Sequence, residues 1–260
     1  MGADRVSRVH TLAAASLLTL VASTTALPAQ RPRELERHVV RVQGHPITVW
    51  SKHPGLPTRR SLVLVHGRTW SARPNFDLRV PDSRRNASLM DALVARGYSV
   101  YAIDLRGYGG TPRDSTGWLT PDRAERDVSV VLDSVFERER QGSGVRIRAG
   151  AQRPVLLGYS RGAQVAMLVA QRHPDKIAGL VLYGYPEPVP AATSGEQTPA
   201  TPPRARTTAA AAGEDFISPA VTPPGVRDAY VRAATLTDSI RMDWRDEARF
   251  LELDPGRVRV

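Results

Sequence analysis

The sequence predicts an α/β fold, a mostly parallel and doubly wound sheet with helices on both faces. Three observations carry this reading. The runs Ser61–Gly67, Tyr98–Leu105, Val155–Tyr159 and Ile177–Tyr183 are continuously apolar, as strands buried on both faces are. Stretches with helical spacing lie between them, and strands alternating with helices build parallel sheets. Finally, Gly158-Tyr159-Ser160-Arg161-Gly162 joins one apolar run to the helix-forming stretch Ala163–Ala170. A serine between glycines at such a junction marks a sharp strand-to-helix turn that lifts the hydroxyl clear of the sheet.

Each element has its own signal. His38–Val42 and Ile47–Ser51 alternate in polarity around Gln43-Gly44-His45-Pro46 and predict a hairpin. Asn86–Arg96 has helical spacing at Leu89, Leu93 and Val94, with Gly97 as its C-terminal cap. Thr120 as N-cap and Pro121 in the first helical position start a helix whose apolar face is Val128, Val131, Leu132, Val135 and Phe136. A Gly-Ser loop at Gln141–Gly144 precedes the strand that leads to Ser160. From Pro186 to Pro224 the chain is rich in Pro, Ala and Thr without apolar periodicity, which predicts a loop or poorly ordered segment. Arg227–Leu236 and Ser239–Leu253 read as helices, Asp254-Pro255-Gly256 as a turn, and Arg257–Val260 as the start of a further strand. No internal repeat is visible.

Composition excludes several classes. The 260 residues are 41% hydrophobic and 24% charged, ordinary for a globular protein, so disorder is not the overall reading. The net charge of +10 is almost wholly arginine, since only Lys52 and Lys176 are lysines. Those arginines are scattered among acids with no basic run interleaved with aromatics, which argues against nucleic acid as a partner. The absence of cysteine excludes disulfides, thiolate metal sites, a cysteine nucleophile and a lipidated-cysteine anchor. Residues 1–29 read as a signal peptide: Arg5 and Arg8 precede the apolar stretch Thr11–Ala26, and Ala26 or Ala29 offers a small residue for cleavage. That stretch is shorter than the ~20 apolar residues of a spanning helix. Export to the periplasm or the exterior without a stable membrane anchor is the expectation.

Three loops, each at the carboxyl end of an expected strand, carry a family resemblance. His66-Gly67, Asp104-Leu105-Arg106-Gly107-Tyr108-Gly109 and Gly158-Tyr159-Ser160-Arg161-Gly162 follow in this order between about Val39 and Tyr183. Together they resemble the α/β-hydrolase superfamily, serine esterases and lipases in particular. The resemblance implies a core over 30–186, a cap inserted after the sixth strand over 187–256, and a last strand opening at 257–260. It implies Ser160 as nucleophile, with the backbone N–H of Arg161 and that of Arg68, or Thr69 in its place, forming the oxyanion hole. His66, Gly67, Gly158, Gly162 and Asp104 are then loop-structuring residues, and Trp70 and Phe76 are either pocket walls or, equally, core or surface aromatics. The chemistry needs no cofactor, and the partner is a small-molecule ester.

Other titratable residues have plainer readings. His173 ends the helix after Ser160, about 20 Å from its hydroxyl at ~1.5 Å per residue, where the helix dipole favours it. Glu187 reads as a solvated loop carboxylate, although some hydrolases place their acid there. No His/Asp/Glu cluster has metal-ligand spacing, and no glycine-rich phosphate loop precedes a helix.

One departure from the family bears on activity. The resemblance places the general base and its carboxylate after the seventh and eighth strands, whereas the sequence ends at Val260. As written, acid and base are absent and the triad has one member. The chain stops in mid-pattern, which favours an incomplete reading of a longer gene over a true truncation or a partner chain that supplies the rest. The expected function is hydrolysis of carboxylic esters, or amides, through an acyl-enzyme on Ser160, incomplete in the chain as given. Serine at the turn argues against the haloalkane dehalogenase and epoxide hydrolase branches, which use an aspartate there. A non-catalytic binding protein that keeps the fold is the alternative from another class.

Overall fold

The computed structural model describes residues 34–55, 60–81, 87–142, 152–186 and 199–259. The signal-peptide expectation and Glu187 fall outside them. The chain opens with β1 (Glu36–Val42) and β2 (His45–Lys52), then β3 (Ser61–Val65), the short helices α1 (Ala72–Phe76) and α2 (Leu89–Val94), and β4 (Ser99–Asp104). Next come β5 (Trp118–Leu119), the long helix α3 (Pro121–Gly142), β6 (Val155–Tyr159), α4 (Arg161–Arg172) and β7 (Gly179–Tyr183). The last stretch holds α5 (Ala209–Gly213), α6 (Val226–Thr237) and β8 (Asp243–Trp244), with 3-10 turns at Glu247–Glu252 and Pro255–Arg257.

Six strands form one sheet in the order β1-β2-β4-β3-β6-β7. The pairs β1/β2 and β2/β4 are antiparallel and the rest are parallel. Alternate residues of each central strand supply two cores. Val63, Val65, Tyr101 and Ile103 pack under α3 and α4 against Val128, Val131, Leu132 and Val165. Leu62, Leu64, Val100 and Ala102 face the other way, against Phe76, Met90 and Val94. The continuous apolar runs are therefore explained: both faces of these strands are covered, and each fully buried Val or Leu contributes ~1.5–3 kcal/mol.

The capping signals hold with small shifts. Arg123 N–H donates to Thr120 Oγ1 at 3.2 Å, starting α3 where expected. Helix α2 begins at Leu89, because Ser88 rather than an earlier residue accepts the Asp91 N–H at 3.0 Å. Lys52 is buried, its ammonium on the carboxylates of Asp77 and Asp91, the latter at 2.6 Å, so this rare lysine ties β2 to α2.

The last third departs most from expectation. Inside the supposed loop, α5 forms, and its Ala212 is buried with Trp70, Ala229 and Tyr230. Ser239–Leu253 is not one helix: β8 pairs in parallel with β5, and a 3-10 turn follows. Residues 257–259 start no strand, since Pro255–Arg257 forms a 3-10 turn and Val258 packs against the larger core. In each case contacts with distant residues override weak local patterns.

Candidate active site

Ser160 sits between β6 and α4 with φ 53° and ψ −122°, a conformation that costs an L-residue free energy and persists only where its surroundings enforce it. The enforcement is visible. A Cβ at Gly158 would overlap the Gly162 carbonyl and come 2.6 Å from Ala163 Cα, and one at Gly162 would overlap the Val65 and His66 carbonyls. The glycines thus let strand, turn and helix approach more closely than any side chain allows. Ser160 N–H donates to Tyr183 O at 2.9 Å and Ser160 O accepts from Ala163 N–H at 2.8 Å, so both ends of the turn are fastened.

A cavity of about 100 Å³ opens beside Ser160, lined by Gly67, Arg68, Thr69, Trp70, Tyr159 and residues of the last third of the chain. Arg161 is the first residue of α4, so its N–H has no intrahelical acceptor. Among the described residues the N–H groups of Arg68 and Thr69 also have none. Trp70 does wall this cavity. Phe76 does not: it is buried with Met90 and Val94 in the core under α1 and α2.

His66 is fully engaged. Leu105 N–H donates to its Nε2 at 3.1 Å, which places the ring proton on Nδ1, and that donates to Gly67 O at 2.7 Å. Burial holds its pKa down to about 4, so the ring is neutral and has no lone pair left for a base. It positions the Gly67 loop instead. Asp104 likewise braces its loop, where its carboxylate accepts from Ala72 N–H (2.9 Å), Trp50 Nε1 (2.7 Å) and Gly110 N–H (2.9 Å), while burial pushes its pKa up to about 6. His173 lies at the far end of α4, 3.0 Å from the Glu125 carboxylate. Among the described residues, no side chain is within hydrogen-bond distance of Ser160 Oγ.

Three acidic residues of the last third complete the surroundings. Asp215 Oδ2 accepts from Trp70 Nε1 at 2.8 Å and from the Tyr230 hydroxyl at 3.1 Å, on the cavity wall. Asp238 accepts from Ser71 N–H and Gly109 N–H, both at 2.9 Å, joining the end of α6 to the loops after β3 and β4. Glu247 Oε2 lies 2.9 Å from Arg68 Nη1 and 2.6 Å from Arg161 Nη2. Sequence reading missed all three, because lone carboxylates without apolar periodicity around them give no local signal.

The sequence matches the Alpha/beta hydrolase family over residues 62–258. The chain belongs to this family. It is 33% identical over 124 residues to the pyrethroid hydrolase of Sphingobium wenxiniae, a match covering 48% of this chain and 35% of that protein. It is 37% identical over 90 residues to epoxide hydrolase B of Mycobacterium tuberculosis, covering 35% and 22% respectively. The matched stretch thus spans about a third or less of these relatives' length. Among solved structures, the thioesterase domain from the curacin biosynthetic pathway aligns with a TM-score of 0.52 at 20% identity, over 86% of this chain and 76% of that one, a likeness of fold. In this α/β hydrolase, the sheet and the strand-turn-helix geometry around Ser160 agree with the expected fold, and the last third of the chain supplies part of the cavity wall.

Proposed function

We propose that Ser160 is the nucleophile of a serine hydrolase that cleaves small carboxylic esters or amides. Attack of its oxygen on the carbonyl carbon forms a tetrahedral intermediate with negative charge on the former carbonyl oxygen. Backbone N–H groups aimed at that oxygen lower the barrier, by about 2.7–4 kcal/mol for one donor. The N–H of Arg161 and that of Arg68, or Thr69, take this role. The alcohol or amine then leaves with a proton, and water releases the acid from Ser160. One observation carries the reading: a strained serine, kept in its turn by two obligatory glycines, beside a cavity lined by Arg68 and Thr69, whose N–H groups have no acceptor among the described residues. The cavity's small volume favours short acyl groups.

No described histidine is within hydrogen-bond distance of Ser160 Oγ: His66 uses both nitrogens on Gly67 O and Leu105 N–H, and His173 lies at the other end of α4. An unassisted serine hydroxyl stays protonated and is a poor nucleophile. The 260-residue chain should therefore resist a fluorophosphonate probe, and added imidazole should restore labelling at Ser160 and turnover of p-nitrophenyl acetate. Ser160→Ala should lose both. Equal reactivity of chain and variant in imidazole would remove Ser160 from the mechanism. A second reading, a binding protein that keeps the pocket without turnover, draws on the same unpartnered hydroxyl. It predicts ester binding with no imidazole response. Export with removal of residues 1–29 is also proposed, and sequencing the N-terminus of the exported protein tests it.

A further inference from the structure

We propose that the face of the hairpin under α3 holds a divalent transition-metal ion of the zinc type, with Glu36, His38 and His53 as ligands. The site follows from strand geometry. Side chains alternate along a strand, so Glu36 and His38 share a face of β1. Antiparallel pairing sets Ser51 opposite Glu36 and Tyr101 opposite Ser51, and His53 follows Ser51 by two residues. The register therefore gathers a carboxylate, two imidazoles and the Ser51 hydroxyl on one side of β1 and the end of β2. No spacing rule could reveal this, because the histidines are fifteen positions apart and meet only through the pairing.

The distances fit a metal centre. One ligand atom from each of Glu36, His38 and His53 lies within 4.8 Å of the others, and His38 Nε2 is 3.5 Å from Glu36 Oε2. Bonds of ~2.0–2.2 Å in a tetrahedral site put ligand atoms roughly 3.4 Å apart, so small side-chain movements close the set. Both imidazole Nε2 atoms converge on Ser51 Oγ, at 2.7 Å for His38 and 3.1 Å for His53. Ser51 Oγ thus bridges the two rings, as a hydroxyl that accepts from one ring N–H and donates to the other nitrogen can. A cation there takes the lone pairs of both rings, each then carrying its proton on Nδ1, and leaves Ser51 Oγ to a metal-bound water.

An outer shell is already built. His53 Nδ1 lies 3.2 Å from Ser99 Oγ and 3.9 Å from Glu139 Oε1, and Glu139 is itself fixed by the Tyr101 hydroxyl at 2.6 Å. A hydroxyl and a carboxylate behind a ligating imidazole orient the ring and raise its basicity. Glu36 and Glu139 together match the two charges of the ion, against the opposing field of Arg138 felt at His38. Two imidazoles with a carboxylate suit Zn²⁺, Cu²⁺ or Ni²⁺ rather than Ca²⁺ or Mg²⁺. Bound there, the ion joins β1, the end of β2 and, through Glu139, α3.

The test is calorimetric titration of ZnCl₂ into the full chain, without an affinity tag and stripped by chelator. The expected result is one ion per chain, with affinity lowered tenfold or more in His38→Gln and in His53→Gln, and unchanged in His45→Gln and His173→Gln. Glu139→Gln should weaken binding about tenfold, the scale of an outer-shell loss. Zinc should also raise the melting temperature of the parent protein but not of His38→Gln, and circular dichroism of the zinc-free variants checks that they fold. If one histidine variant does not fold, the other decides. No saturable binding, or binding that survives loss of either histidine, overturns the proposal.

Discussion

Glu247 anchors Arg161. Its carboxylate, in the 3-10 turn that follows β8, lies 2.6 Å from the guanidinium that heads α4, and the same oxygen meets Arg68. The cavity-lining Arg68 and the residue that follows Ser160 are thus tied by one side chain of the last third. Glu247→Ala would leave two guanidinium groups near each other without a counter-charge. All three groups are partly exposed, so solvent screens the effect. A loss of about 1 kcal/mol at low salt is expected, shrinking as salt is added, with faster proteolysis within residues 199–259. Urea titrations of parent and variant at two salt concentrations measure it, and coincident curves at low salt would show that the bridge does not hold this segment down.

The turn glycines separate two kinds of glycine requirement. Gly158 and Gly162 are excluded from substitution by contact with backbone that cannot move aside. Gly44, in the hairpin turn, has φ +80° but open space around a Cβ. Gly44→Ala should cost only the left-handed conformation, about 1 kcal/mol. Gly158→Ala and Gly162→Ala should cost ~3 kcal/mol or more, the range of severe overpacking, or prevent folding. A thermal melt of each variant decides, and parity among the three would contradict the packing described for Ser160.

The sheet was legible because burial on both faces writes continuous apolar runs, and Ser160 because its turn demands glycine at two fixed positions. The helix caps at Thr120 and Gly97 were local and therefore readable. What escaped was built from long-range pairing. Trp118 and Leu119 become a strand only because Asp243 and Trp244 lie beside them. Asp215, Asp238 and Glu247 gain meaning only when α6 and the following turn settle on the loops after β3 and β4. Phe76 was open between two readings, since a wall role and a core role look alike in a sequence, and packing chose the core.

His66 and Asp104 should pull stability in opposite directions with pH. His66 titrates at about 4 in the fold against 6.5 ordinarily, so between those values the unfolded chain binds more protons and acidification destabilises, by roughly 3 kcal/mol in full. Asp104 titrates at about 6 against 3.8, so over that window the folded chain binds more protons and acidification stabilises, by a similar amount. Offsetting terms make the parent protein's dependence shallow. His66→Gln removes only the first, so its stability relative to the parent should rise as pH falls from 6.5 towards 4. Denaturant midpoints across that range test it, and a constant difference would mean that His66 is not buried in its neutral form.

The outer edge of β7 predicts self-association. Among the described residues β7 pairs only with β6, and Gly179–Tyr183 contains neither a charge nor a proline. Val181 is 43% exposed and Tyr183 64%, so an apolar strand presents unpaired backbone donors and acceptors to solvent. Edges of this kind recruit other strands unless charges, prolines or bulges block them. The 260-residue chain should therefore associate as its concentration rises. Val181→Lys adds a charge to the exposed face, where it cannot disturb the core, and an approaching chain would have to desolvate it. Light scattering should show larger species for the parent chain and a smaller mean mass for Val181→Lys at equal concentration. A parent chain that stays monomeric across the accessible range would mean that the β7 edge is closed in solution.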